Sequence, residues 1–108
     1  MVKNVENLID KLYELGFEVE TNVNKIFATK TEYVDDYESE SYYYKYQTIV
    51  NIHPLEKGYL IIIERYTYKL TKLTNREVES YTYPESHIYV PYENAIDIPQ
   101  IIEIIENR

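Results

Sequence analysis

Cysteine and tryptophan are missing from this 108-residue chain, and glycine occurs only twice. Without cysteine there is no disulfide framework and no thiolate metal site. With Gly16 and Gly58 as the only glycines, no glycine-rich phosphate loop can form, and no serine sits in a nucleophile elbow. Positive charge is also short: 11 Lys and Arg face 19 Asp and Glu, for a formal net charge of −8. Such a surface repels phosphate backbones, which argues against direct nucleic-acid binding. The longest apolar run, Tyr59–Ile63, is the size of a strand and far below the roughly 20 residues of a membrane-spanning helix. Met1–Glu6 lacks the basic-then-apolar order of a secretory leader, so a cytoplasmic location is expected, host-cell cytoplasm included.

Tyrosine is what the chain has in excess, with 14 residues concentrated in runs such as Tyr42-Tyr43-Tyr44-Lys45-Tyr46 and Tyr66-Thr67-Tyr68. Its ring packs on a pleated surface while its hydroxyl stays wet or finds a partner, so these runs read as strands. The abundance of Lys, Glu, Ile and Tyr suits a thermophile, although an AT-rich coding sequence produces the same balance.

The length fits one domain, 1–108, with a single core. Val5, Leu8, Ile9, Leu12 and Leu15 recur at helical spacing behind a potential Asn4 cap, and Gly16 suits the left-handed residue after the last turn; a helix over 4–15 follows. Strands are expected at about 17–21, 25–34, 42–53, 59–73 and 78–90, the last one broken near Pro84. Asn22-Val23-Asn24, Pro54–Gly58 and Thr74–Glu77 are the turns, with Asn tolerating positive φ in the first and Gly58 serving as the permissive residue of the second. Turns this short make neighbours antiparallel. Asp97-Ile98-Pro99-Gln100 has the form of a capped start to a second helix over 98–107, striped by Ile98, Ile101, Ile102 and Ile105. The fold class is therefore α+β: an antiparallel meander of 4–5 strands with an N-terminal and a C-terminal helix packed on one face.

Two short helices cover one side of a sheet, yet the 59–73 strand is apolar on both sides in its first half. Leu60 and Ile62 point one way; Tyr59, Ile61 and Ile63 point the other. Each such side chain left in water forgoes about 1.5–3 kcal/mol. A second copy against the uncovered side is the economical cover, which predicts a homodimer with Tyr59, Ile61, Ile63 and Arg65 at the contact.

Candidate sites are few. Glu32, Asp35, Asp36, Glu38 and Glu40, with Tyr37 among them, form the densest charge. Three readings apply: a solvated segment that keeps a sheet edge soluble, an acidic ridge that imitates a phosphate backbone for a basic groove on another protein, or a divalent-cation site. The segment lacks the glycine and oxygen spacing of a helix–loop–helix calcium site. Tyr42, Tyr44 and Tyr46 are expected toward the helices, whereas Tyr43 and Lys45 belong to the other side and to a protein contact. A base-stacking platform would want more cations than Lys45 alone. His53 and His87 have no partner at metal or triad spacing. Arg65 interrupts the central strand, with Glu79 or Glu32 as its expected cross-strand partner, or with Lys69 and Lys45 as companions in an anion site.

The expectation is a small acidic protein-binding domain without catalysis or cofactor. Partner contacts fall to Glu32, Asp35, Asp36, Tyr37, Glu38, Glu40, Tyr43 and Lys45. A virus- or plasmid-encoded accessory or inhibitor of a nucleic-acid-handling protein fits this size and charge. The competing class is an enzyme or ligand-binding homodimer, with tyrosines, His53, Glu64 and Arg65 lining a site between subunits.

Overall fold

A computed structural model describes residues 2–108, with side chains from Val5 onward. The chain runs α1 (Val2–Glu14), β1 (Glu18–Asn22), β2 (Lys25–Asp35), β3 (Tyr42–Pro54), β4 (Gly58–Thr71), β5 (Glu77–Thr82), β6 (Ser86–Pro91), a 3-10 turn (Tyr92–Asp97) and α2 (Ile98–Glu106). All pairings are antiparallel, in the order β1-β2-β3-β4-β5, and β6 pairs with β4 as well. β6 takes the Gly58–Ile63 half of β4 and β5 takes the Tyr66–Leu70 half. They are one return strand interrupted at Tyr83-Pro84-Glu85, since proline cannot donate to a ladder. The expected fold class, an antiparallel meander with a helix at each end, is what the structure has.

Local chemistry accounts for the ends of these elements, not always as the sequence implies. Gly16 takes φ +93 after α1, the left-handed role expected of it. α1 starts ahead of Asn4, so Asn4 lies within the helix; its capping side chain falls outside the described residues. The β1–β2 hairpin uses the Asn22 carboxamide oxygen, which accepts from the backbone N–H groups of Asn24 (2.9 Å) and Lys25 (3.0 Å), so the asparagine works through its side chain. Positive φ appears instead at Asn75, in the β4–β5 turn (φ 56). Gly58 is needed for space: a Cβ there would meet the Val90 carbonyl oxygen at 2.5 Å. Asp97 makes no capping hydrogen bond, because the 3-10 turn has already curled the backbone before α2 begins.

The core lies between the two helices and one side of the sheet. Leu8, Leu12, Phe17, Ile98, Ile102 and Ile105 pack on Ile26, Ala28, Val50, Ile52, Tyr59, Ile61, Ile63 and Val90. The register aligns Ala28 with Val50 and Val50 with Ile63, then Ile26 with Ile52 and Ile52 with Ile61, so one face gathers them all. Tyr59, Ile61 and Ile63 are 3%, 0% and 1% exposed. They pack beneath this chain's own helices, which corrects their assignment to a subunit contact; the open side carries Leu60 and Ile62, both half-buried.

Length decides how far this core reaches. A strand of 14 residues such as β4 spans about 48 Å. The helices, with 13 and 9 residues, span about 20 and 14 Å. The molecule is accordingly long, 49 × 24 × 23 Å, with a radius of gyration of 15.9 Å where a compact chain of this length has about 13 Å. No helix of the described residues is long and apolar enough to cross a membrane.

Candidate binding surface

Burial stops at one row across the sheet. Lys30 pairs with Thr48 and Thr48 with Arg65, and the Tyr83 N–H donates to the Arg65 carbonyl. On the helix side of that row the core begins. On the far side no residue of β2–β5 is fully buried: β2 is exposed from Thr31 to Asp35, and all of β5 is exposed. The distal half of the sheet is thus a ribbon of four strands with neither face covered by another layer.

Glu106, at the end of α2, seals the row. Lys30 reaches it at 3.2 Å and the Thr48 hydroxyl donates to it at 3.3 Å, with Lys30 also pairing with Glu32 at 3.3 Å. Burial by itself would lower the Lys30 ammonium; the hydrogen bond and charge of Glu106, then those of Glu32, prevail and raise it above its ordinary 10.5. A recess of about 160 Å³ opens here, lined among others by Lys30, Tyr46, Arg65, Thr67, Tyr83 and Glu106. The Arg65 guanidinium lies over the Tyr83 ring at 4.4 Å, and the Thr67 hydroxyl donates to the Tyr83 oxygen at 3.3 Å.

The ribbon is held by tyrosine. On the helix-side face, Tyr44 stacks along Tyr46 (6.3 Å), Lys69 sits over Tyr42 (4.4 Å), and Tyr81 meets Tyr83 edge-on (4.7 Å). On the opposite face, Tyr66 stacks along Tyr68 (6.3 Å), Lys45 covers Tyr68 (5.4 Å), and Tyr33 lies beside Tyr43 (6.2 Å). Such pairs are worth about 0.5–1.5 kcal/mol each, and cation–ring contacts add a comparable amount. They replace what a second layer would supply. They also replace the expected ion pair of Arg65, with which no carboxylate pairs among the described residues; Lys69, directly opposite Glu79, turns to a ring as well. The Tyr66 hydroxyl donates to Glu64 at 2.8 Å, and that bond raises its pKa above 10.0.

The acidic segment forms the far tip. Asp36 accepts from the Glu38 N–H (3.1 Å) and its carbonyl from the Ser39 N–H (3.0 Å), closing a tight turn. Lys72 fastens the tip to the β4–β5 turn through Asp35 (2.6 Å) and the Ser39 carbonyl (3.3 Å). Tyr37 is 92% exposed at its summit. Asp36, Glu38 and Glu40 have no ion pair among the described residues.

The register places the other candidate residues. Asp35 pairs with Tyr43 and Tyr33 with Lys45, so Asp35, Tyr43 and Lys45 share the face opposite the helices. Glu32, opposite Tyr46, lies on the helix-side face. Arg65 is the one residue of the expected subunit contact that stays accessible. Its companions in the enzymatic reading are separated from it: Glu64 and His53 point to the other face, and Lys45 does too, away from Lys69. His53 aligns with Leu60 and His87 with Ile62, so the two histidines do not meet; His87 instead contacts Glu85 at 2.5 Å. No group of three or more His, Asp or Glu side chains among the described residues could hold a metal ion. The Lys30–Thr48–Arg65–Tyr83 row was not legible as a unit, because only strand register aligns four residues so far apart in the chain.

The chain matches no known family, no curated protein and no solved structure.

Proposed function

We propose that this chain is a small acidic binding domain without catalysis, which grips a basic protein through the uncovered half of its sheet. The carrying observation is the ribbon beyond the Lys30–Thr48–Arg65 row, where tyrosines furnish both faces and no other element of the described residues overlies either. Tyrosine brings large contact area at small entropic cost, the composition favoured at interface centres. The tip adds Asp36, Tyr37, Glu38 and Glu40 at the end farthest from the helices, where an unpaired negative cluster steers a cationic partner. A basic groove built for a phosphate backbone has the matching chemistry. A nucleic-acid-handling protein is therefore the partner class, and a virus- or plasmid-encoded accessory or inhibitor is the kind of protein that would exploit it.

The test is capture from the source cells, after nuclease treatment, by the natural chain and by a variant carrying Asp36→Asn, Glu38→Gln and Glu40→Gln. One basic protein held by the first and lost by the second supports the reading. Identical captures, or turnover of a metabolite by the purified chain, would overturn it.

The half-buried Phe27, Ile49, Leu60 and Ile62 on the open side favour a second reading, in which another copy of the chain covers that face. Sedimentation across a range of concentrations separates the two.

A further inference from the structure

The outline of the sheet has a notch. Beside β4, the row is filled along nearly its whole length by β6 and β5. Beside β2, β1 covers only Lys25–Thr29, and Lys30–Asp35 pair with β3 alone. β1 begins at Glu18, opposite Thr29, where Phe17 and Gly16 lead the chain away to α1. Half a strand is missing from that row: Thr31–Asp35 are exposed, and among the described residues Lys30–Asp35 have no backbone partner other than β3.

The β5 and β6 edges of the sheet carry devices that discourage pairing, and on the short β1 the Tyr13 hydroxyl donates to the Val19 carbonyl. The β4–β5 ladder has a register shift at Lys69/Leu70, β5 is followed by Pro84, and β6 ends in Pro91. The β2 edge has neither proline nor bulge between Lys30 and Asp35. Its side chains include Tyr33, 65% exposed, and Val34, 42% exposed, which suit cross-strand packing. Its charges are Lys30 and Glu32 on the helix-side face, paired at 3.3 Å, and Asp35 on the other, paired with Lys72 at 2.6 Å, with the acidic tip of Asp36, Glu38 and Glu40 just beyond.

We propose that the open edge of β2 receives an extended, basic segment of a partner protein as an added strand. This rests on the binding role proposed above and specifies its mode. In strand addition, main-chain hydrogen bonds give affinity and alternate side chains give selection. Glu32 and Asp35 each hold one lysine of this chain and keep further acceptor capacity, so an incoming strand that shares them carries basic residues three apart, with apolar or β-branched residues between them opposite Tyr33 and Val34. That spacing reads the same in either chain direction. A second copy is the poorer occupant, since it brings its own acidic edge and tip and sets like charges together.

The probe is a synthetic blocked peptide, Thr-Lys-Val-Thr-Lys-Val, titrated into the isotope-labelled full chain and followed by amide shifts and hydrogen exchange. Two further peptides of the same sequence are N-methylated at odd or at even positions, leaving their charge unchanged. The expected result is slowed exchange of alternate amides within Lys30–Asp35. One methylated peptide binds about tenfold or more weakly, having lost its edge hydrogen bonds, while the other keeps its affinity with its methyl groups pointing outward. Equal binding by all three peptides would overturn strand addition while leaving an acidic binding surface intact. Shifts confined to the recess or the tip, or no binding at millimolar peptide, would also overturn it.

Discussion

Ile61 and Ile62 are neighbours on β4 with opposite surroundings, and truncating each to alanine measures what the helices cover. Ile61 is fully buried under the helices; Ile62 is half-buried on the open side. Removing three carbons forfeits about 0.8 kcal/mol each when they are fully withdrawn from water, or about 2.4 kcal/mol. At Ile61 the rigid layer above holds a void open, and roughly 80 Å³ at ~24 cal/mol per Å³ adds about 2 kcal/mol. Ile61→Ala should therefore cost about 4 kcal/mol. At Ile62 nothing roofs the space, so water fills it and only part of the transfer cost remains, about 1–2 kcal/mol. In urea, with a slope of roughly 1–3 kcal/mol per molar, the two midpoints should differ by about 1 M. Equal midpoints would refute the assignment of an uncovered face. If both midpoints also rise with protein concentration, a second copy sits on Ile62.

Other outcomes follow from particular contacts. Gly58→Ala pushes a methyl group into the Val90 carbonyl and the Tyr89 ring, so it should cost about 1–3 kcal/mol and accelerate amide exchange in β6 first; undisturbed β6 amides would show that the strands are not so close. Burial, then the charge of Tyr92, raises the Tyr59 hydroxyl above its ordinary 10.0, as Lys30 is raised above 10.5. Both folded values exceed the unfolded ones, so the stability they lend is complete below about pH 10 and is lost as pH climbs through the folded values. Tyr59→Phe should flatten that alkaline fall in a series of melts, and an unchanged slope would exclude Tyr59 as a contributor. Neutralising Asp36, Glu38 and Glu40 removes no ion pair, and Asn at 36 keeps the acceptor for the Glu38 N–H; stability should move by no more than about 0.5 kcal/mol while partner association slows and loses its salt dependence. A large loss of stability would make the tip structural.

Much of this architecture could be read from spacing alone. Gly16, the short turns and Pro84 mark where elements end, because each acts on its own stretch of backbone. What required the structure was relational. Five apolar residues in succession, Tyr59–Ile63, do not say which alternate set meets the helices; pairing with Val50 and Ile52 decides it for Tyr59, Ile61 and Ile63. The shortness of β1 is visible in the sequence, but the open stretch of β2 it leaves depends on the hairpin register. Arg65 looked like an ion-pair residue because Glu79 and Glu32 were available. A tyrosine-dense ribbon offers rings instead, with Arg65 over Tyr83 and Lys69 over Tyr42. The Asp97 cap fails for a local reason, since the 3-10 turn already places its backbone in helical geometry.

Residue-resolved hydrogen exchange on the chain alone and in its captured complex addresses the main idea most squarely. New protection should fall on residues 30–46 and 64–82, strongest along the outer edge of β2, with α1 and α2 unchanged. Protection centred on the helices, or none beyond that of the free chain, would contradict a binding role for the bare half of the sheet.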